Sequence, residues 1–407
     1  MPSLLTTLAL LSLTAAPAPN DGAVRVSLLS LFNPQTLEVR VAGGAGALLD
    51  AGTLGSGDLA AGDLARIRLA GDHINIVLID SYGRIKRSVV SGQARIIPRG
   101  RATFDLVLPG KIEREVRGEL LVMPQGLRSR GRLQITLATD LESIVTSVVA
   151  AELYGNREAE ALKALAVIAR TFMLSHTGRH RDEGFDYCDT THCQLYRGEA
   201  DLNAKLSSPV VAQAVAQTAG QVLSFGGHTI EAYFTAVCGG LSTTPEMVWG
   251  GRSTGDYTYR RVACQWCKES HYSKWERKAG AAGLLDALGA AKGVRFSSSA
   301  DIIVEEEQPA GPARRVIIRD KGRQVVMGVD EFRRAIGSRI GWNRVLSPTF
   351  QVERRGRNFV FRGRGFGSQV GLCLAGTAAQ AASGRSYRDI LGFYYPQAEI
   401  RLNRGEN

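Results

Sequence analysis

The chain has 407 residues, 44% of them hydrophobic, enough for a large core and for one or two domains. Its 46 glycines and 13 prolines are scattered rather than periodic, which excludes collagen-like and low-complexity classes, and no repeat of solenoid length stands out. With 50 basic and 39 acidic side chains the formal charge is +11, which favours a polyanionic partner such as a nucleic acid, an anionic membrane or an acidic cell-wall polymer.

Leu4 to Ala16 is an apolar stretch of signal-core length, followed by Pro17, Ala18 and Pro19, so residues 1–18 read as an export signal. If it is cleaved the product is soluble; if retained it tethers the chain to a membrane through the N-terminus. No later segment approaches the roughly 20 apolar residues of a spanning helix. The six cysteines suit an exported protein, because an oxidising compartment permits disulfides.

Residues 19–117 read as a β-rich N-terminal module. Val24–Leu28 and Leu37–Val41 alternate apolar and polar side chains between glycine-rich turns, and 43–57 reads as a flexible loop. From 118 to 407 helix and strand are mixed without βαβ alternation, which makes the class α+β, with a larger second domain that carries a groove. Asp140 can cap a helix whose stripe is Leu141, Ile144, Val145 and Val148. Glu152, four residues further, falls on that stripe. A second helix begins after Asn156, with Glu158 and Glu160 at its positive end, and runs to about Ser175. A third lies between Pro209 and Gly220. Strands at 221–225 and 228–235 turn at Gly226-Gly227. Helices at 280–291, 330–336 and 375–383 and strands at 301–304, 315–318, 349–353 and 359–361 complete the pattern.

Four groups of residues could carry chemistry. Glu152 on an apolar stripe loses hydration, which raises its pKa toward that of a general acid, unless it turns to water or pairs with an arginine. Cys188 and Cys193, with His192 between them, could bind zinc or form a disulfide; zinc would need a fourth ligand such as His176 or His180. Cys264-Gln265-Trp266-Cys267, with His271 beyond, has the form of half a zinc site or a redox dithiol. Gly363-Arg364-Gly365-Phe366-Gly367 and Gly371 form a loop whose glycines let backbone approach a substrate or another loop. Arg354, Arg355, Arg357, Arg362 and Arg364 around it could face an anionic glycan or form a solvated edge.

These pieces stand in the order of the stage II sporulation protein D / amidase-enhancer family, which the chain resembles over roughly residues 118–402. The matching runs are Leu141–Glu152, Glu160–Thr171, Cys188–Tyr196 with Gly198, Ala232-Tyr233-Phe234, Gly239-Gly240, Trp249, the glycine loop and Ile390–Pro396. The resemblance implies lytic cleavage of peptidoglycan glycan strands, preferably those stripped of stem peptides, between muramic acid and glucosamine. Glu152 occupies the position of the family's essential carboxylate, as general acid and then base. Arg170, Gln194 and Tyr196 match family positions and, with Gly365 and Gly367, are the substrate-binding candidates. The alternative is a catalytically weak protein that binds peptidoglycan or stimulates an N-acetylmuramoyl-L-alanine amidase. Either reading implies export to the periplasm, envelope or exterior and no nucleic-acid partner. The chemistry requires no cofactor, while some relatives resemble zinc proteins at the Cys188–Cys193 motif.

The chain departs from the family at Ser368, Gln369, Cys373 and Leu374, where relatives often carry His-Gly and, further on, Ser and Gln. Cys238 and Cys373 both stand where many relatives have Ser, which leads to the expectation of a disulfide between them.

Overall fold

The computed structural model describes residues 22–52, 55–126, 131–153, 156, 158–199, 209–250, 261–306 and 311–403. The export signal expected over 1–18 lies outside them. Among the described residues the chain is α+β, and no helix is long and apolar enough to cross a membrane.

Period-two alternation builds the N-terminal half. In the strand Thr36–Gly43, Leu37, Val39 and Val41 are buried while Glu38 and Arg40 face outward. That strand lies in a six-stranded sheet in the order 112–116, 103–108, 36–43, 64–70, 73–79, 85–91. A seven-stranded sheet has the order 187–188, 24–28, 132–139, 119–125, 94–98, 47–50, 57–59. Side chains from both sheets, such as Val39, Ile76 and Phe104 on one and Val26, Ile96 and Ile135 on the other, share one hydrophobic core.

Two expectations change here. The 43–57 segment is not all loop, since Ala47–Asp50 pairs with both 94–98 and 57–59. The boundary at 117/118 falls within a continuous sheet: 119–125 pairs with 94–98, and 132–139 pairs with 24–28. The N-terminal strands and the helices that follow therefore bury their apolar faces together.

Eight helices occur among the described residues: α1 (Leu141–Glu152), α2 (Ala159–Ser175), α3 (Pro209–Gln217), α4 (Pro245–Trp249), α5 (Ala281–Lys292), α6 (Val329–Ile340), α7 (Leu374–Ala382) and α8 (Tyr387–Tyr394). α2 is central and packs against α1, α3, α7 and α8. It is buried on nearly every side, as its Ala- and Leu-rich sequence requires. The strand expected over 228–235 is instead two short pieces, His228–Thr229 and Phe234–Thr235.

Residues 275–363 form a second core. The strands 275–280, 358–363 and 350–355, a hairpin sheet of 301–306, 313–320 and 323–328, and helices α5 and α6 enclose Leu284, Val316, Phe332, Phe350 and Phe361. An open depression of about 550 Å³ on this unit is lined by Trp275, Phe350, Arg362 and Arg364 among others. The arginines around the glycine loop are largely occupied. Arg362 bridges Glu276 and Glu353, Arg355 pairs with Glu353, and Arg354 donates to the carbonyls of Ala300 and Ser298.

Candidate functional site

The site begins with the capping of α1. Asp140 accepts from the Ser143 N–H at 2.8 Å and fixes the start of the helix. Ile144, Val145, Val148 and Val149 then bury one face, which brings Glu152 to the last helical position, partly buried. The C-terminal end of a helix carries partial negative charge, and α1 has no basic residue in its last turn. Burial raises the Glu152 pKa above the ordinary carboxylate value, and the charge of Arg197 partly opposes the rise. No hydrogen bond to the carboxyl occurs among the described residues.

Arg197 belongs to a run, 193–199, that lies beside α1. Ser147 of α1 donates its hydroxyl to the Gly198 carbonyl and accepts the Arg197 N–H, each at 3.1 Å. On the far side of this run, Glu199 N–H reaches the Glu115 carbonyl at 2.6 Å. The run is thus clamped between the catalytic-candidate helix and the N-terminal sheet.

Of the other expected site residues, Arg170, Gln194 and Tyr196 are buried. Arg170 is 1% exposed, and its hydrogen bonds among the described residues go to Glu142, Ala166 and Gln221 rather than to Glu152. Its guanidinium grips both carboxylate oxygens of Glu142 at 2.7 Å and donates to the Gln221 carbonyl at 3.0 Å. It therefore joins α1, α2 and the strand 221–225 from inside, and its donors do not face a groove. Gln194 and Tyr196 are also buried, at 4% and 1% exposure, with Gln194 Oε1 and Tyr196 Oη lacking partners among the described residues. Buried side chains cannot line an open groove, so both stand behind the surface.

Gly365 and Gly367 have φ of 80° and 103°, and a Cβ on either would collide with residues 235–238. These glycines let the loop close onto another loop. Gln369, 1% exposed, secures the closure by donating to the Cys238 carbonyl at 2.8 Å and the Arg364 carbonyl at 3.0 Å. Leu374 joins the core as the first residue of α7.

The thiols at Cys188 and Cys193 are free, and their sulfurs form a four-ligand set with His180 and His192, all ligand atoms within 4.8 Å of one another. His192 Nδ1 lies 3.6 Å from both sulfurs, and His180 Nε2 lies 3.3 Å from Cys193 Sγ. Glu183 accepts from His180 Nδ1 at 2.6 Å, which leaves Nε2 as a lone-pair donor toward the thiols. The Cys193 thiol, with Thr190 and His192, holds the Cys188 thiol well below its ordinary pKa. Two thiols and two imidazoles so arranged have the donor set of a tetrahedral zinc ion. His176 is not in the set; its Nε2 faces the Tyr233 hydroxyl at 3.2 Å.

Neighbouring Asp189 links this knot to the sheets. It accepts the Leu29 N–H at 2.9 Å and a 2.6 Å ion pair from Arg114. Arg197 and Glu142 were not singled out in the sequence. Arg197 does stand beside the matching Tyr196, and that adjacency was the available signal.

Fold and site together define an α+β protein in which the run 193–199 links a Cys₂His₂ knot to Arg197, whose charge acts on a desolvated helix-terminal carboxyl. The chain belongs to the stage II sporulation protein D family. The family model described as "Stage II sporulation protein" matches residues 129–225. Stage II sporulation protein D of Bacillus subtilis (strain 168) is 30% identical over 272 residues, covering 64% of this chain and 74% of the relative. Its counterpart in Bacillus amyloliquefaciens is 27% identical over 272 residues, with the same coverage of 64% and 74%. The amidase enhancer of Bacillus subtilis (strain 168) is 24% identical over 290 residues, 61% of this chain and 39% of that protein.

Proposed function

We propose that the protein is an exported peptidoglycan lytic transglycosylase in which Glu152 is the general acid and then the base. The observation that carries this reading is the Glu152 carboxyl itself: desolvated, raised in pKa, at a helix C-terminus and held by no hydrogen bond among the described residues. A carboxyl whose pKa is raised by burial is better able to donate its proton to the glycosidic oxygen as the bond to muramyl C1 breaks. The resulting carboxylate then accepts the proton of the muramyl C6 hydroxyl as that oxygen bonds to C1. The anhydro ring closes, no water is consumed, and Glu152 ends as it began. One carboxyl suffices, unlike the pair that hydrolysis usually employs.

Arg197 supports a preference for strands without stem peptides. Removing the peptide exposes a lactyl carboxylate on muramic acid, and an arginine beside the acid is suited to bind it. The amidase that would generate such strands is the partner this reading implies, and the relative named amidase enhancer supports that association. Zinc held by His180, Cys188, His192 and Cys193 would fix the fold beside Arg197.

The test is digestion of peptide-free glycan strands by the full chain and by Glu152→Gln, with products read by mass spectrometry. Anhydromuramyl ends from the parent protein and none from the variant are expected. Binding without cleavage by the parent protein would replace this reading with that of a glycan-binding or amidase-stimulating protein.

A further inference from the structure

The four cysteines outside the Cys188–Cys193 knot converge on one point. We infer that Cys238, Cys264, Cys267 and Cys373 form a second, structural metal centre that holds one zinc ion as a tetrathiolate. Their sulfurs all lie within 4.8 Å of one another, and all four thiols are free. Cys238 Sγ and Cys267 Sγ are 3.6 Å apart. A tetrahedral ion with Zn–S bonds of about 2.3 Å would set its sulfurs roughly 3.8 Å apart. A polynuclear iron–sulfur cluster, with inorganic sulfides between several metals, needs a wider cage than these thiols enclose.

The ligands come from three separate segments. Cys238 precedes Gly239-Gly240, Cys264 and Cys267 frame a 3-10 turn, and Cys373 ends the short strand 372–373 and caps α7. His271, the imidazole that the sequence offered to this motif, is not among the ligands; its ring lies 4.0 Å from that of Tyr272. Each of the four cysteines is at most 1% exposed, which leaves no position for water or substrate. Such closure marks a structural site.

The surroundings are built for thiolates. Binding zinc displaces the four thiol protons to solvent and leaves the centre with a formal charge of −2. The Cys238 and Gly376 N–H groups point at Cys373 Sγ, at 3.3 and 3.4 Å. The Tyr394 hydroxyl lies 3.2 Å from Cys264 Sγ. The positive N-terminal end of α7 faces Cys373 as well. Gly376 is needed for this approach, because a Cβ there would meet the Tyr394 hydroxyl and Cys264 Sγ. The expected Cys238–Cys373 disulfide is thus replaced: the two are neighbours, reduced, and joined by a second pair. The centre would pin the glycine loop, since Gln369 holds the Cys238 carbonyl and Phe366 pairs with Val237. None of this depends on the catalytic reading.

The test is metal analysis of the full chain, purified without chelator, beside Cys238→Ser, Cys373→Ser and the double variant Cys188→Ser/Cys193→Ser. Each single variant should lose one zinc equivalent relative to the parent protein. The Cys188/Cys193 variant should retain one, and after cobalt substitution it should give the charge-transfer and ligand-field bands of a tetrathiolate. Should the single variants fail to fold, two measurements still decide. One is the cobalt spectrum of the Cys188/Cys193 variant. The other is a non-reducing peptide map of the parent protein, in which all four thiols should take up alkylating reagent only after denaturation with chelator. Disulfides among these four cysteines, an unchanged zinc count in Cys238→Ser, or iron in place of zinc would overturn the assignment.

Discussion

The buried Arg170–Glu142 pair offers a prediction whose size follows from geometry. Arg170 is 1% exposed and Glu142 is 40% exposed, so the two ends of the pair respond unequally to removal. Glu142→Leu strips both 2.7 Å acceptors from a guanidinium that is itself only 1% exposed. Breaking a buried pair from one side costs about 3–5 kcal/mol, and partial exposure of the carboxylate places this case near about 2–4 kcal/mol. Arg170→Met keeps the side-chain volume and frees Glu142 to rehydrate, leaving chiefly the Gln221 carbonyl unpaired, a loss of about 1–3 kcal/mol. Glu142→Leu should therefore destabilise more than Arg170→Met, and the double variant should cost less than the sum. Urea unfolding followed by circular dichroism measures all three. An Arg170→Met protein as stable as its parent but unable to bind glycan would refute the reasoning and return Arg170 to the substrate surface.

Three more outcomes follow. Because burial raises the folded-state pKa of Glu152, the native state binds more protons than the unfolded one between the ordinary and the raised value. Stability should fall as pH rises through that window, and Glu152→Gln should be the more stable protein at neutral pH, as thermal melts across pH will show. Removing the opposing charge with Arg197→Met should raise the Glu152 pKa further and move the alkaline limb of the pH–rate profile of glycan cleavage upward; an unmoved limb would separate Arg197 from the acid. Asp189→Asn leaves the 13%-exposed Arg114 without its charge partner and should cost about 2–4 kcal/mol in chemical denaturation.

Much of this architecture was legible locally. The alternation through Leu37, Val39 and Val41, the stripe ending at Glu152 and the Ala/Leu run of α2 each declare an element within a few residues. The capping box of Ser386 and Asp389 that starts α8 is equally local, although the expected helices ended at 383. What stayed hidden depends on distant partners. Arg170 and Glu142 are 28 positions apart, and no local pattern pairs them. Cys238 and Cys373 are 135 apart, and long-range pairings such as that of 234–235 with 372–373 bring them together around the Cys264–Cys267 turn. The sheet that crosses residue 118 is hidden for the same reason, because strand order is a property of the folded chain.

The most direct test of the central claim is to digest peptide-free glycan strands with the full chain in ¹⁸O-enriched water and weigh the new ends. The account predicts anhydromuramyl ends that carry no solvent oxygen, because the C6 hydroxyl of the sugar closes the ring and Glu152 alone moves the proton. A reducing end carrying one ¹⁸O would show water attacking C1, contradict the single-carboxyl mechanism, and require a second carboxylate that this account does not contain.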